Sequence, residues 1–228
     1  APTGGTTYNM GGHLTEAEFV NAICGGCTAA GTLGAVADGI GDPLNVFEER
    51  LQTLKSHGYK AIVGLKPRRQ KDIIERMKIA ANAGVVAFTI DLDSAGRAAR
   101  ATKGQTVEPK TPEQLRELVK ASPLPLFFKG IMTVDEALQC LNSGAAGIVV
   151  SNHGRCMILV DGCVKRGTDV EKYIALGANA CLAGRHFVRG AHGALADGVE
   201  LMARTIQKEL VVAMTLTGAA TVKDINRK

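Results

Sequence analysis

What the chain lacks narrows the field first. Only 4% of its 228 residues are aromatic, so the interleaving of aromatic and basic side chains on which single-strand nucleic-acid binders stack bases is absent. No apolar run reaches the roughly 18 residues of a membrane span, and the opening residues do not read as a signal peptide, so none is expected. The net charge of +5 comes from scattered Lys and Arg, with no basic block. That balance suits a site for small anionic ligands at least as well as a nucleic-acid surface. Neither nucleic acid nor membrane is therefore an expected partner, and a cytoplasmic location is the expectation. The opening Ala1-Pro2-Thr3-Gly4-Gly5 lacks a methionine, which points to a start inside a larger protein.

A metal site is not expected either. Among the six cysteines, Cys24-Gly-Gly-Cys27 has metal or redox spacing, but no second pair and no paired histidines accompany it. It stands in a stretch of helical periodicity among small residues, where packing is the simpler role. A disulfide framework does not suit a chain of this size and style.

What is present points to one sizeable core. The chain is 46% hydrophobic and carries 27 glycines, which fits a single domain over residues 1–228. One pattern recurs: a glycine, two residues, a small residue, then an apolar run. It appears at Gly31, Gly58, Gly84, Gly144 and Gly177. A helix ending on a left-handed glycine, a short loop and a buried strand would write that pattern. Helical periodicity precedes these glycines over 16–29, 46–56, 71–82, 134–142 and 170–176, and a further helical stretch runs from Ala194 to Met214. Strands are expected near Ala1 and over 33–37, 61–66, 87–91, 126–129, 148–151, 158–161 and 181–184. Eight such βα units make an α/β TIM (β/α)8 barrel, with a doubly wound parallel sheet as the alternative.

One junction resists this scheme. Ile148-Val149-Val150 and Met157-Ile158-Leu159-Val160 look like neighbouring parallel strands, and parallel neighbours need a crossover of about a dozen residues. The short stretch Ser151-Asn152-His153-Gly154-Arg155-Cys156 cannot supply one. Either the two strands form an antiparallel hairpin, or about 25 residues are absent after Gly154, judged by the usual size of a βα crossover. Asn152-His153-Gly154 makes a poor two-residue hairpin loop, so absent residues are the expectation.

In a barrel of this kind the chemistry sits at the C-terminal strand ends. Those ends carry Thr3-Gly4-Gly5, Asp38-Gly39, Lys66, Thr89-Ile90-Asp91, Lys129-Gly130, Ser151-Asn152-His153-Gly154, Asp161-Gly162-Cys163 and Gly184-Arg185. A lone strand-end His or Lys has an ordinary structural explanation; their gathering on one rim is what suggests a site. The last two ends suggest phosphate. Glycines let backbone N–H groups approach phosphate oxygens, a helix start near Thr168 adds partial positive charge, and Lys165 and Arg185 add full charges.

Lys129-Gly130, Ser151-Asn152-His153-Gly154, Asp161 through Val170, and Gly184-Arg185 together resemble the FMN-dependent α-hydroxyacid oxidase and dehydrogenase family. The family includes glycolate oxidase, lactate oxidase and flavocytochrome lactate dehydrogenase. The likeness runs from Leu124 to Asp224 and is looser before that, although Ala1-Pro2-Thr3 and Thr89-Ile90-Asp91 fit the first and fourth strands. It implies an oxidoreductase that uses FMN to convert a small L-2-hydroxy acid into the 2-oxo acid. It implies His153 as general base, with Asp91 orienting its ring and Lys129 facing the flavin N1–C2=O edge. An imidazole suits that task because its ordinary pKa lies near neutrality. The resemblance further implies Ala1, Pro2, Thr3, Thr89 and Ser151 along the flavin, and Asp161, Gly162, Cys163, Lys165, Gly184 and Arg185 toward its phosphate. Lys66 and Arg97 are candidate substrate contacts beside His153, although Arg97 also reads as a solvated loop charge. Family members carry a further arginine and a helix after the SNHG loop, so Arg155 is not assigned that arginine's role. Tetramers or octamers are common in the family, which implies a homo-oligomer.

The chain departs from the family pattern in four places. Gly64 and Lys66 stand where a glutamine and a tyrosine are usual. Cys163 replaces the second glycine of the phosphate turn, and Lys165 replaces an arginine, a point charge for a fork. Ala37-Asp38 stands where serines are common. Two other readings stay open: a flavin-dependent isomerase-type barrel, and a non-catalytic flavin- or phosphate-binding barrel.

Overall fold

The computed structural model describes residues 2–4, 6, 10–95, 107–149 and 157–226. Strands and helices alternate: α1 (Glu16–Ala29), β1 (Gly34–Ala37), α2 (Leu44–His57), β2 (Ala61–Leu65), α3 (Gln70–Ala81) and β3 (Val85–Asp91). Then come α4 (Pro112–Ala121), β4 (Leu126–Lys129), α5 (Val134–Asn142), β5 (Gly147–Val149), β6 (Met157–Asp161), α6 (Gly167–Ala175), β7 (Ala180–Leu182) and α7 (Arg185–Thr217). The five repeat glycines, Gly31, Gly58, Gly84, Gly144 and Gly177, all have left-handed backbone, with φ from 67° to 102°. They turn each helix back into the next strand, as the repeat predicts.

The helix starts are written in side chains. At Thr15 and Glu18, Thr111 and Gln114, and Thr133 and Glu136, the first side chain accepts from the third residue's N–H. The third side chain accepts in return from the first residue's N–H. These capping boxes satisfy donors that a helix start leaves without a partner. The Thr111 box begins α4, a helix that the periodicity reading passes over.

All seven strands are parallel and lie in sequence order, β1-β2-β3-β4-β5-β6-β7. A doubly wound sheet reverses its strand order at a switch point, so that alternative is excluded. Unidirectional right-handed crossovers place the helices on one face of the sheet. On that face Val36, Val63, Leu65, Phe88, Ile90, Phe128 and Ile148 join residues of α1–α5 in the main core. The opposite face has its own smaller cluster, Ala87, Phe127, Val149 and Leu159 with Ile62 and Leu182. Residues two apart on one strand share a face, so this second cluster is the sheet's inner lining.

Residues 2–4 extend the sheet. Thr3 forms a parallel bridge with Val36 of β1 and lines the same cavity as Leu182 and Gly184 beyond β7. The first segment therefore lies between the first and last strands. Where eight strands are expected, the described residues give seven and this bridge.

β5 and β6 pair in parallel, Gly147 with Met157, Ile148 with Ile158 and Val149 with Leu159. The antiparallel hairpin is thus ruled out. The connection falls on residues 150–156, which lie outside the described residues, as do Ser151, His153 and Arg155.

Cys24-Gly25-Gly26-Cys27 proves to be a packing motif. Both thiols are buried in α1, and burial pushes the Cys24 thiol up to about 12 and the Cys27 thiol up to about 11. A Cβ at Gly26 would lie 2.6 Å from the Val199 Cβ, so the glycine lets α7 rest directly on α1. The stretch expected to be helical from Ala194 is the second part of α7, whose helical dihedrals break at Ala194 and Leu195 (φ 49°).

Candidate active site

Alternation along the strands carries charged residues onto the inner face at its C-terminal edge. Ile62, Gly64 and Lys66 share that face, as do Ala87, Thr89 and Asp91, Phe127 and Lys129, and Leu159 and Asp161. The apolar lining is thus a floor, and the next layer is charged. Lys66 Nζ lies 2.6 Å from Asp91 Oδ2, Lys129 Nζ 3.6 Å from Asp91 Oδ1, and Lys129 Nζ 3.3 Å from Asp161 Oδ2. The four make a chain of alternating sign across the ends of β2, β3, β4 and β6. Burial by itself would lower the Lys129 ammonium, but the carboxylates of Asp91, Asp161 and Asp93 outweigh it, and its pKa stands above the ordinary lysine value. Lys129 is therefore a fixed positive charge at neutral pH.

Between floor and charged layer stands Thr89. It is 1% exposed, and its Oγ1 has no hydrogen-bond partner among the described residues. A buried hydroxyl left unpaired costs free energy, so a polar group from a bound molecule is its natural partner. Beside it a Cβ at Gly64 would come 2.5 Å from Pro2 Cβ and 3.2 Å from Thr89 Oγ1. Glycine at 64 therefore admits the N-terminal segment to the inner face.

The second half of the site is a cavity of about 480 Å³ beyond β6 and β7. Thr3, Asp161, Gly162, Cys163, Lys165, Gly184 and Arg185, all expected at the cofactor, line it together. Lys165, Arg185 and Arg189 set three cations against the single carboxylate of Asp161 around it. The turn at Gly162 and Cys163 is left-handed at both residues, with φ of 127° and 54°. A cysteine in that region carries strain that a glycine would not.

The helix start that serves this cavity differs from the expected one. At the start of α6, Asp169 Oδ2 accepts from the backbone N–H groups of Lys165 and Arg166, each at 3.0 Å. Gly167 N–H donates to Glu209 at 2.8 Å. Those donors are spent inside the protein. α7 instead begins at Arg185 with no side-chain cap, and its first turn borders the cavity through Arg185 and His186. An uncapped helix start beside lysine and arginine side chains is suited to a phosphate group.

His186 and Arg189 were not among the expected site residues. The signal was present in the spacing: Arg185 and Arg189 are four apart, so both face one side of α7, where two like charges repel unless an anion lies between them. Asp38, by contrast, leaves the site. Its carboxylate is fully buried and takes a double hydrogen bond from Arg68, at 2.7 and 2.8 Å. Ala1, Arg97, Ser151 and His153 lie outside the described residues.

A family model described as FMN-dependent dehydrogenase matches residues 44–155 and 154–228. The chain belongs to the FMN-dependent dehydrogenase family. Among its relatives is the peroxisomal (S)-2-hydroxyacid oxidase GLO4 of Arabidopsis thaliana, 37% identical over 138 residues, covering 50% of this chain and 37% of the relative. The peroxisomal (S)-2-hydroxy-acid oxidase GLO4 of Oryza sativa subsp. japonica is 31% identical over 218 residues, covering 80% of this chain and 59% of the relative. The L-lactate oxidase of a Nostoc species is 37% identical over 137 residues, covering 50% of this chain and 38% of the relative. The chain thus spans between 37% and 59% of the length of these family members. A crystal structure of mandelate oxidase with (S)-2-phenylpropionate superposes with a TM-score of 0.74 at 26% identity, covering 93% of this chain and 72% of that one. The two blocks of the family match meet at 154–155, the junction at which the sequence lacks a crossover.

Proposed function

We propose that the chain binds FMN and oxidises a small L-2-hydroxy acid to the 2-oxo acid. One observation carries this reading: Asp161 both borders the cationic cavity and pairs with Lys129, at 3.3 Å. A single elongated ligand can therefore place an anionic end among Lys165, Arg185 and Arg189 and its other end over the charged layer. The unpartnered Thr89 hydroxyl and the close approach of Pro2 to Gly64 fit a polar, flat group on the inner face.

Bound FMN supplies the two-electron acceptor that no side chain here can provide. The chain's own groups do the rest. Lys165, Arg185 and the start of α7 hold the phosphate. Lys129 offers a buried positive charge where electron density arrives, which favours acceptance. His153 takes the substrate proton, and Asp91 stabilises the resulting imidazolium. These last two roles rest on the family resemblance, as do substrate contacts by Lys66 and Arg97 and flavin contacts by Ala1 and Ser151.

The finer architecture is proposed in the same spirit. Residues 1–228 form one domain, and the sheet closes into an eight-stranded barrel through residues 1–4. The Thr3 bridge to Val36 supports that closure. An apolar cavity of about 320 Å³, lined by Thr3, Ala35, Ile62 and Leu182, lies where the rest of an eighth strand would run. The short link between β5 and β6, with the two-block family match, supports the absence of about 25 residues after Gly154. A homo-oligomer is proposed from the resemblance alone. No helix among the described residues is long and apolar enough to cross a membrane. A cytoplasmic location is proposed from the sequence, with the peroxisome, named for the GLO4 relatives, as the alternative.

The test is direct. Purified chain mixed with FMN should turn yellow, and L-lactate or glycolate should bleach it under anaerobic conditions. Protein that stays colourless with excess FMN refutes the reading. The Lys66–Asp91 pair favours one alternative, a flavin-binding barrel without turnover. FMN that binds but is not bleached by any small 2-hydroxy acid would decide for it.

A further inference from the structure

Asp91 stands in a row of three charged residues set by strand register. Asp91 pairs across the sheet with Lys129, and Leu65 pairs with Ile90, so Lys66 and Lys129 flank Asp91 on either side. Register alone makes Lys129 the natural partner of Asp91. The geometry is otherwise. Lys66 Nζ takes Asp91 Oδ2 at 2.6 Å, while Lys129 Nζ stays 3.6 Å from Oδ1, beyond hydrogen-bond range. Asp91 Oδ1 is buried and has no hydrogen-bond partner among the described residues.

We propose that Lys66 is a positioning residue: by occupying Asp91 it keeps the Lys129 ammonium off its cross-strand carboxylate, so that only Asp161 shares that charge with the bound flavin. This inference rests on the FMN reading of the site. Three features carry it. The Lys66–Asp91 contact is the shortest in the charged layer. Both groups are largely buried, with side chains 16% and 9% exposed, so their attraction is little screened. And the four groups Lys66, Asp91, Lys129 and Asp161 sum to zero only while Lys66 is present. Without it the layer carries one net negative charge, and Lys129 is the cation within reach of the abandoned Asp91. Both consequences oppose the arrival of electrons on the flavin.

The experiment measures the midpoint potential of FMN bound to the purified chain, by anaerobic reduction against a reference dye. Lys66→Met should lower the two-electron reduction equilibrium at least about tenfold, which is about 30 mV. Lys66→Arg, which keeps the charge, should restore the wild-type potential. Asp91→Asn with and without Lys66→Met forms the control, because the double variant leaves no lone buried carboxylate to impair folding. There the effect of removing Lys66 should fall to less than half. An unchanged potential in Lys66→Met overturns the inference, as does an equal drop in Lys66→Arg or in the Asp91→Asn background. Wild-type protein that takes up no FMN overturns the reading of the site itself, and this inference with it.

Discussion

Arg50 offers the sharpest test of how the site is held. Its side chain is 1% exposed and reaches three acceptors: Glu16 Oε2 at 2.6 Å, Asp42 Oδ2 at 2.5 Å and the Ala37 carbonyl at 2.7 Å. Glu16 in turn accepts from the Thr6 hydroxyl at 2.7 Å. Asp42 accepts from the Gly39 N–H at 3.0 Å. One guanidinium thus ties α1, the end of β1, the turn after it and the N-terminal segment that runs on to Thr3. Arg50→Met would remove the cation and leave two carboxylates buried without a counter-charge. Breaking a buried pair in this way costs about 3–5 kcal/mol, a large part of the roughly 5–15 kcal/mol by which a domain is stable.

The pH dependence gives the sign. Burial by itself would raise the Glu16 carboxyl, but Arg50 and Thr6 outweigh it, and its pKa lies below the ordinary value of 4.5. A depressed carboxyl contributes stability that is present above its unfolded pKa and lost as pH falls through the folded one. Urea unfolding followed by circular dichroism should therefore show the gap between wild type and Arg50→Met at its widest near neutral pH. The gap should narrow as pH falls. The carboxyls stranded in folded Arg50→Met take up protons at higher pH than the paired carboxyls of the wild type, while protonation of the unfolded chain is common to both and cancels. A loss under about 1 kcal/mol, or an equal loss at pH 7 and pH 4, would refute the argument.

Three further outcomes follow from the same geometry. Thr89→Val keeps the shape and removes an unpaired buried hydroxyl, so the flavin-free protein should gain about 1 kcal/mol in thermal unfolding while FMN binding weakens; a destabilised flavin-free protein would contradict this. Arg185→Met and Arg189→Met should each raise the FMN dissociation constant about tenfold or more, the worth of a hydrogen bond to a charged group, read from quenching of flavin fluorescence. Unchanged affinity in both would remove the cavity from the cofactor site. Cys163→Gly relieves a residue at φ 54°, and the left-handed gain outweighs the added chain entropy by about 0.5 kcal/mol, visible as a small rise in melting temperature.

The glycine repeat was the most legible feature of the fold. Its five glycines all adopt the left-handed turn, and helices α1 and α5 begin and end where periodicity places them, because those positions are set by neighbours in sequence. α4 was missed although Thr111-Pro112-Glu113-Gln114 is a helix-start signature. The lining of the cationic cavity beyond β6 and β7 was legible for the same local reason: its glycines and cations sit in two short segments. What could not be read was pairing across strands. Nothing local tells Lys66 to choose Asp91, 25 residues away, or Arg68 to bury Asp38, 30 residues away. Both pairings join segments that only the assembled sheet brings together, and for Asp91 register offers Lys129 as well, so side-chain geometry makes the final choice. Likewise, Asp169 reads as an ordinary first-turn carboxylate, yet it consumes the very N–H groups expected to meet phosphate.

The central claim is that one flavin mononucleotide spans from the cationic cavity to the charged layer. A crystal structure of the chain grown with FMN measures this directly. The account predicts phosphorus density between the Gly162 turn and the Arg185 guanidinium, with the flavin ring within contact distance of Lys129 Nζ. Phosphate density bound elsewhere, or a ring remote from Lys129, would contradict it.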